Sequence, residues 1–312
     1  MASSTADTPG TPAPGAPAPA AAVLVAGEAL IDVIRSGDAT REHPGGSPAN
    51  VALGLARLGV PTAFLTALGR DARGAAIAAR LARDGVDILP ESWLLPATSS
   101  AVATIQPDGS ARYAFDIAWT LAETVELPAV RHIHVGSISA FLAPGADRIE
   151  HLVMTATADV TVSVDPNIRA DLVGEPRAAR ERFERLAARA DLVKLSDEDA
   201  RFLYPGRSDA DTAVALASHG AIVAVTRGSA GSLLVSGDTQ VEVDPIHVDV
   251  ADTVGAGDSY MAALLAWLLT GDLRRRPRSA AELAEAGAFA ARAAAITVSR
   301  AGAEPPRSAE LD

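Results

Sequence analysis

The sequence predicts an α/β fold, in which a mostly parallel central sheet is covered by helices on both faces and carries a small β lid or appendage. Short apolar runs that end in Gly or polar residues alternate with helical segments from residue 23 to residue 298, as is typical of strands buried in a parallel sheet. A Gly-rich turn leads directly into an apolar helix at residues 252–269. One pair of strand-like segments has no helix between them, which breaks the α/β alternation and predicts the appendage.

Composition restricts the class of protein. The chain has 312 residues, of which 48% are hydrophobic and 4% aromatic, so its core must consist mainly of Ala, Val and Leu. The net charge of −12 disfavours non-specific binding to nucleic acid or to an anionic membrane. The absence of cysteine excludes disulfides, thiolate metal sites and cysteine nucleophiles. No apolar run approaches the roughly 18 residues of a membrane span, and we expect a soluble, cytoplasmic protein.

The two ends of the chain are predicted to lie outside the folded domain. Residues 1–22 contain five Pro and eight Ala, and Asp7 is their only charged side chain. They lack the basic region of a secretory signal and the Arg of a transit peptide. We therefore expect a disordered tail that cannot bury enough surface to order itself. The predicted domain spans residues 23–303, and residues 304–312 are predicted to form a C-terminal tail.

The first predicted strand leads into a segment rich in polar groups and glycine. Asp32 follows the apolar run at residues 23–27. Open α/β sheets place their binding sites at strand ends, so Asp32 is a candidate site residue. A turn or cap role would explain this carboxylate equally well. Gly45 and Gly46 precede a predicted helix and have no side chains, so a ligand could approach the backbone there. An ordinary loop is the alternative interpretation. Asn50, in the first turn of that helix, offers a donor and an acceptor that suit a polyol.

The later elements continue the alternation. Further strands are predicted at residues 62–68, 132–137, 160–164, 191–196 and 221–226. Further helices are predicted at residues 71–84, 176–190 and 279–298. The β appendage is a predicted hairpin with an Asp-Gly turn at residues 107–110, between strands at 101–106 and 111–116. His132 and His134 alternate along one strand, and because no third ligand is evident nearby we expect no metal site there.

A Gly-rich run at residues 252–258, Asp-Thr-Val-Gly-Ala-Gly-Asp, carries the clearest chemical signal. Gly255 and Gly257 permit an unusual backbone, and the unpaired N–H groups of the following helix turn, together with the helix dipole, form an anion site. Asp258 places a carboxylate where an anion should bind. Two interpretations stay open: a helix cap that contributes roughly 0.5–2 kcal/mol, or a general base acting on a substrate hydroxyl.

This run resembles the C-terminal signature of the ribokinase-like (pfkB) carbohydrate kinases. Gly-Glu-Ala-Leu-Ile-Asp at residues 27–32 and Gly-Gly-Ser-Pro-Ala-Asn at residues 45–50 resemble the N-terminal half of the same family. The resemblance spans nearly everything after the N-terminal tail and implies a ribokinase-like fold with Asp258 as the catalytic base. It implies an anion hole formed by Gly255, Ala256 and Gly257. It implies a loop for a monovalent cation such as K⁺ near Asp252 and Val254. The sugar hydroxyls would be held by Asp32, Gly45, Gly46 and Asn50.

The resemblance also gives the appendage a role. In the family a β lid at this position, here with strands within about residues 97–120, covers the sugar and often carries a dimer contact. A lid that excludes water helps a kinase to avoid wasteful hydrolysis of its nucleotide. We therefore expect a sugar-covering lid and a homodimer contact through it, with a plain surface hairpin as the alternative.

A further motif narrows the resemblance to a subgroup. Asp-Pro-Asn-Ile-Arg at residues 165–169 resembles the DPNxR run of fructokinases and 2-keto-3-deoxygluconate kinases. Asn167 is therefore a candidate for ATP contact and Arg169 for substrate contact, with a structural salt bridge of Arg169 as the alternative. Where the family usually has N-x-x-E, this chain has Ser196 and Asp199. Asp199 is one methylene shorter than Glu, so a direct or water-mediated role at Mg²⁺ is a weaker implication.

Other positions match the nucleotide-binding parts of the family. The T-x-G-x-x-G nucleotide loop is matched by Thr226, Gly228 and Gly231. Lys194 either faces the nucleotide or is a surface charge. The last helix of the family lies against adenine, and the polar Asn sometimes found there is replaced by Ala291, so base contacts would rest on backbone and packing.

Together these features predict phosphoryl transfer from MgATP to a sugar hydroxyl. Fructose is the expected acceptor, with 2-keto-3-deoxygluconate or the acceptor of another pfkB sugar or nucleoside kinase as the alternative. A non-catalytic sugar- or nucleotide-binding relative is the alternative of another class. A dinucleotide dehydrogenase is disfavoured because no G-x-G-x-x-G follows the first strand, and a P-loop kinase is excluded because G-x-x-x-x-G-K-[ST] is absent.

Overall fold

The computed structural model describes residues 22–37, 39–106, 110–274 and 278–311. It has the predicted α/β architecture, with a nine-stranded sheet between two layers of helices and a separate four-stranded sheet. Most of the predicted N-terminal tail, up to residue 21, and the predicted hairpin turn at residues 107–109 lie outside the described residues. Within the described ranges, no helix has both the length and the apolar character that crossing a membrane requires.

The large sheet forms because short runs of β-branched and other apolar residues are buried on both of its faces. Across the sheet, its strands are β13 (Thr239–Val243), β12 (Ser232–Ser236), β11 (Ile222–Thr226), β10 (Leu192–Ser196), β9 (Thr161–Asp165), β8 (His132–Gly136), β1 (Val23–Ala26), β4 (Thr62–Leu65) and β5 (Asp87–Ile88). The strands from β11 to β5 are parallel, and β12 and β13 are antiparallel additions at one edge. The parallel strands therefore end along one common edge of the sheet.

Two helical layers cover this sheet, and alternate strand residues point to each. Leu24 of β1 belongs to one core and its neighbour Val25 to the other. One layer contains α3 (Gly145–Thr155), α5 (Pro176–Arg189), α6 (Asp197–Leu203) and α7 (Asp209–Ala217). The other layer contains α1 (Ser47–Arg57), α2 (Ala72–Ala82), α8 (Ala256–Leu269) and α9 (Ala280–Val298). A single turn, α4 (Ala170–Val173), follows β9.

Helices α1 and α8 pack closely because the contact residue on α1 has no side chain. A Cβ atom on Gly54 would lie 2.7 Å from the Cβ atom of Ala262 on α8. This close approach brings the first turns of the two helices together at the carboxyl edge of the large sheet, since Ser47 and Asn50 of α1 both donate to Asp258 of α8.

The four-stranded sheet is larger than the sequence predicts. Its strands, in order, are β3 (Ala39–Gly45), β2 (Leu30–Ser36), β6 (Ser100–Ile105) and β7 (Ala111–Asp116). The predicted hairpin is present as antiparallel β6 and β7, but β2 pairs parallel with β6 and antiparallel with β3. Strand β3 has no apolar alternation because five of its seven residues are exposed, so its sequence resembles a loop. We call this four-stranded sheet the lid.

The end of the chain packs against the domain, unlike the predicted C-terminal tail. Glu304 forms ion pairs with Arg57 and Arg80, and Leu311 is buried in the core beside α1 and α8. Ion pairs and the buried apolar residues Pro305, Pro306 and Leu311 hold this segment, and neither feature leaves a periodic pattern in the sequence.

Candidate active site

The candidate active site lies where the carboxyl ends of the parallel strands meet the first turns of α1 and α8. Asp165 is the last residue of β9, Thr226 is the last residue of β11, and Lys194 lies near the end of β10. Open α/β sheets bind their ligands at this edge. The structure thus brings the predicted N-terminal and C-terminal motifs together at one place.

Asp258 faces α1 and does not cap its own helix. Its side chain is only 8% exposed. Its Oδ1 atom accepts a hydrogen bond from Ser47 Oγ at 2.6 Å, and its Oδ2 atom accepts one from Asn50 Nδ2 at 2.8 Å. The N-cap position of α8 is occupied by Gly255, whose lack of a side chain rules out a side-chain cap there. The capping interpretation of Asp258 is therefore wrong.

The turn before Asp258 has the backbone of an anion hole. Gly255 is left-handed, with φ 79° and ψ 0°, and a Cβ atom on it would lie 2.6 Å from the Cβ atom of Ala303. Both the conformation and the packing therefore require glycine at this position. Ala256 and Gly257 follow in the first helical turn, whose N–H groups have no carbonyl partner within the helix; the N–H of Ala256 makes one long contact, of 3.4 Å, to the carbonyl oxygen of Thr253. Together with the helix dipole, they favour an anion.

Lys194 is a buried cation directly beneath this turn. It is 3% exposed, and its Nζ atom would lie 3.0 Å from a Cβ atom placed on Gly257. Nζ donates to Asp165 Oδ2 at 2.9 Å. Burial alone would lower the pKa of Lys194, but the surrounding carboxylates of Asp165, Asp199 and Asp258 raise it. The surface-charge interpretation of Lys194 is therefore wrong, and a positive charge lies under the anion hole.

The partner of this lysine has one unused oxygen. Asp165 is 1% exposed, and among the described residues its Oδ1 atom has no hydrogen-bond partner. Burial raises the pKa of Asp165 to about 6, although the nearby Lys194 acts to lower it. Asp165 begins the Asp-Pro-Asn-Ile-Arg motif, but its position in the sequence predicts no role for it.

Asp199 uses both carboxylate oxygens on backbone groups. Oδ1 accepts from the N–H of Ile168 at 2.7 Å, and Oδ2 accepts from the N–H of Ser196 at 2.8 Å. Ser196 in turn caps α6 by accepting from the N–H of Asp199. Asp199 thereby ties the loop after β9 to the start of α6. In the described part of the chain, no group of three or more His, Cys, Asp or Glu side chains is arranged to hold a metal ion.

Asp32 lies within the lid, on the side of the site that is predicted to bind the acceptor and is called the acceptor side below. It is in the middle of β2, beyond the end of the buried strand where the sequence analysis placed it. Burial raises its pKa, while the charges of His43 and Arg169 act to lower it, so Arg169 lies within electrostatic reach. A Cβ atom on Gly45 would lie 2.0 Å from Asp32 Oδ2. Glycine at position 45 therefore leaves room for this carboxylate.

The second glycine of the pair is also required by the local structure. Gly46 has φ 103°, and a Cβ atom on it would lie 2.7 Å from the carbonyl oxygen of Glu28. Glu28 is itself 4% exposed, and its Oε2 atom accepts from the N–H of Ser139 at 3.1 Å. Burial raises the pKa of Glu28 to about 7.

Arg169 is exposed and close to the acceptor side. Its Nη1 atom donates to Asn167 Oδ1 at 2.9 Å, and Asn167 has a positive φ of 37°. Within the ranges that the structure describes, no carboxylate forms an ion pair with Arg169, which removes support for the structural salt bridge. The half-buried Asn167 and the exposed Arg169 form one polar corner after β9.

The predicted nucleotide loop follows β11. Gly228 has φ 53° with open space around its Cα atom, so a ligand can approach the backbone there. Gly231 has φ 82°, and a Cβ atom on it would lie 2.1 Å from the carbonyl oxygen of Val243, so it is required by strand packing. Thr226 is half-buried at the start of this loop, and Ala291 is partly buried against the core of α8 and α9.

Asp252 organises the predicted cation loop. Its Oδ1 atom accepts from the N–H of Val254 at 3.0 Å, and its Oδ2 atom accepts from the N–H of Gly302 at 2.9 Å. Val254 is 53% exposed. The carboxylate therefore joins the Gly-rich turn to the segment after α9.

Two groups were missed or left without a role by sequence reasoning. Ser47 lies inside the quoted Gly-Gly-Ser-Pro-Ala-Asn motif, but nothing in the sequence shows that its hydroxyl reaches Asp258, 211 positions later. His132 and His134 are buried and bond to Thr161 and Ser163 of the neighbouring strand. A periodic sequence pattern places such residues on a face but does not identify their partners.

Comparison with known proteins agrees with this geometry. The profile of the pfkB family carbohydrate kinases matches residues 20–310. A fructokinase from Rhizobium leguminosarum bv. trifolii is 35% identical over 260 residues, which is 79% of each chain. This chain belongs to the pfkB family of carbohydrate kinases, and it is a sugar kinase with a ribokinase-like fold.

Solved structures give the same result. A double mutant of the fructokinase from Vibrio cholerae O395, bound to fructose, ADP and potassium ion, has a TM-score of 0.80 at 26% identity and covers 95% of this chain and 98% of its own. The aminoimidazole riboside kinase from Salmonella enterica, bound to its riboside and an ATP analogue, has a TM-score of 0.74 at 26% identity, covering 93% and 96%. The fold is therefore shared by kinases that act on different acceptors.

Proposed function

We propose that this carbohydrate kinase is a fructokinase, which transfers the γ-phosphoryl group of MgATP to a hydroxyl group of fructose. The observation that carries the proposal is the buried carboxylate of Asp258, held by Ser47 and Asn50 at the mouth of an anion hole. The choice of acceptor is supported by the fructokinase relative and by the fructose-bound structure described above.

In the proposed reaction, the acceptor hydroxyl attacks the γ-phosphorus while Asp258 accepts its proton. A new bond forms between the sugar oxygen and phosphorus, the bond to the β-phosphate oxygen breaks, and ADP leaves with that electron pair. The N–H groups of Gly255, Ala256 and Gly257 and the charge of Lys194 stabilise the transferring group. Preorganised charges in a buried site of this kind supply much of the rate in phosphoryl transfer.

The acceptor is proposed to bind between the lid and α1. Asp32 would accept hydrogen bonds from sugar hydroxyls, and Asn50 has a carbonyl oxygen free to do the same after its amide has bonded to Asp258. The bare backbone of Gly45 and Gly46 allows the sugar to lie close to the main chain. Arg169 has no carboxylate partner in the described residues and would reach the sugar from the open side.

ATP is proposed to bind across the ends of β10 and β11, in contact with Asn167, Lys194, Thr226, Gly228 and Gly231. Bound Mg²⁺ would neutralise charge on the phosphates. The phosphates would hold it, and Asp199, whose two oxygens each already accept one backbone N–H group, would add a direct or water-mediated contact. A monovalent cation such as K⁺ would bind the loop of Asp252 and Val254. We place the enzyme in the cytoplasm, where ATP is supplied.

The lid is proposed to form a homodimer contact. Asp32 pairs with Ala101, and Ala101 pairs with Phe115, so these residues share one face of the lid. Further out on that face, Ile34 and Phe115 are 40% and 39% exposed. A second copy that covered this face would bury both side chains and close the outer end of the sugar site. Light scattering on the purified protein should give a dimer mass, and Phe115→Arg should give a monomer.

The function is tested by a coupled ADP-release assay with MgATP. The acceptors are fructose, 2-keto-3-deoxygluconate, ribose and adenosine, and the variants are wild type, Asp258→Asn and the matched surface control Asp238→Asn. We expect turnover on fructose, unchanged in Asp238→Asn and reduced by at least 10²-fold in Asp258→Asn, because the base is lost.

Each other result would revise a different part of the proposal. Turnover on 2-keto-3-deoxygluconate alone would replace fructose as the acceptor. Binding of ATP without turnover on any acceptor would favour a binding-only relative. Activity retained in Asp258→Asn would overturn the assignment of the base.

A further inference from the structure

One arginine outside the predicted site joins its two halves. Arg80 lies on α2, and its side chain is only 13% exposed. Its Nη1 atom donates to the carbonyl oxygen of Pro44 at 2.7 Å. Its Nη2 atom donates to the carbonyl oxygen of Ala303 and to Glu304 Oε1, the latter at 2.9 Å. A single guanidinium group therefore holds two segments that are far apart in the sequence.

The first of these segments carries the acceptor site. Pro44 is in β3, directly before Gly45 and Gly46, and it pairs with Ile31 of β2. The next pair in the register, His43 with Asp32, includes the carboxylate proposed to bind the sugar. By holding the carbonyl group of Pro44, Arg80 therefore holds the connection between the lid and α1 in place.

The second segment carries the phosphate site. Ala303 packs on Gly255, at a distance that leaves no room for a Cβ atom there. The neighbouring Gly302 donates its N–H to Asp252 Oδ2 at 2.9 Å. A shift of Ala303 would therefore move both the anion hole and the proposed cation loop.

We propose that Arg80 is a positioning residue that couples sugar binding to nucleotide binding by linking the end of β3, before Gly45 and Gly46, to the anion hole. This inference rests on the proposed function. Arg80 touches no reacting group, so it acts through the two segments that it holds. Only a planar guanidinium group, with donors on both ends, can reach the two carbonyl groups at once. Among the described residues its Nε atom is buried without a partner, a cost that the terminal contacts offset.

Coupling of this kind is reciprocal and can be measured at equilibrium. If the two sites are linked, saturating ADP changes the Kd of the sugar, and saturating sugar changes the Kd of ADP by the same factor. A residue that only stabilised the fold would alter the melting temperature of the protein and leave this factor unchanged. The factor therefore separates positioning from structural support.

The test measures the Kd of fructose by calorimetry with and without saturating ADP, in wild type, Arg80→Lys and Arg57→Lys. Arg57 is a matched control, because it also holds the C-terminal segment, through Glu304 and the carbonyl oxygen of Pro305, but does not contact Pro44. We expect ADP to tighten fructose binding at least fivefold in wild type and in Arg57→Lys, and less than twofold in Arg80→Lys. Thermal unfolding checks that each variant is folded.

The milder change Glu304→Gln keeps the proposal testable if Arg80→Lys does not fold. It removes the charge that anchors Arg80 at the C-terminal segment, and we expect a coupling factor between those of wild type and Arg80→Lys. A wild-type factor of one, or an unchanged factor in Arg80→Lys or in Glu304→Gln, would overturn the proposal. Failure of the proposed function is distinguishable, because wild type would then not bind fructose at all. In that case the coupling factors are compared with the acceptor that the turnover panel identifies.

Discussion

The phosphate half of the site and its acceptor half are built in contrasting ways. In the phosphate half, Asp258, Lys194 and Asp165 are 8%, 3% and 1% exposed and lie between the large sheet and α8. In the acceptor half, five of the seven residues of β3 are exposed, although Ile31 and Val33 of the neighbouring β2 are buried. The groups proposed to carry out the chemistry are thus enclosed, whereas Asp32, one of the groups proposed to select the sugar, lies in a sheet whose edge strand β3 is exposed until ligand or partner covers it.

The largest effect is expected from the buried cation. We expect Lys194→Met to lower kcat by about 10²–10³-fold, because a positive charge under the anion hole is lost. The variant should also lose about 3–5 kcal/mol of stability, since Asp165 is left buried and unpaired. The double variant with Asp165→Asn separates the two effects. Stability, measured by urea unfolding, should largely return while kcat remains low; recovery of kcat would show that Lys194 acts only through the fold.

A smaller effect on the same half is expected from its backbone. In Gly257→Ala the new methyl group lies against Lys194 Nζ, which must move by a few tenths of an ångström while Asp165 holds it. We expect kcat to fall by about 3–10-fold with little change in melting temperature. The control is Gly271→Ala, at which a Cβ atom meets nothing within 4 Å. Equal kcat values for the two variants would show that the position of this charge does not matter.

The smallest effect on activity is expected from substitution of Glu28, at the junction of the two halves. We expect this substitution to change the pH dependence of stability and not the activity. The pKa of Glu28 is raised by burial from 4.5 to about 7, so between these pH values the unfolded chain has lost a proton that the folded protein keeps. Stability from this group is therefore present below pH 4.5 and is lost as the pH rises to 7. The full loss is about 3 kcal/mol.

The pH dependence is isolated by comparing wild type with Glu28→Gln in urea unfolding at pH 5, 6, 7 and 8. The contributions of other buried groups, including Asp165, His132 and His134, cancel in this difference. We expect wild type to lose stability relative to the variant from pH 5 to pH 7 and then to level off. The control Glu123→Gln, at a side chain that is 92% exposed, should leave the curve unchanged. Parallel curves for wild type and Glu28→Gln would contradict the assigned burial effect.

The same contrast explains what could be predicted from the sequence. Strands such as β1 and β11 are continuous apolar runs, and the turn at Gly255 and Gly257 indicates an anion site, so the frame and this turn follow from local patterns. The buried ion pair of Lys194 with Asp165 does not. Strand β3 is polar and exposed, and its place in the lid depends on pairing with β2. Local periodicity does not carry that information.

Pairs between distant residues were equally hidden. Ser47 reaches Asp258, and Arg80 reaches Ala303, only because helices α1 and α2 pack beside α8 and the end of the chain. Residues 304–312, which are predicted to form a C-terminal tail, carry charges that include Glu304. Their partners on α1 and α2 become visible only in the folded chain.

The most direct test of this account compares fructose binding and turnover in Asp258→Asn and Asp32→Asn. For Asp258→Asn we predict a fructose Kd within about threefold of wild type, with kcat reduced by at least 10²-fold. For Asp32→Asn we predict a Kd raised by about tenfold or more, with most of kcat retained at saturating fructose. Loss of fructose binding in Asp258→Asn, or wild-type binding in Asp32→Asn, would contradict the division of the site into a chemical half and a selecting half.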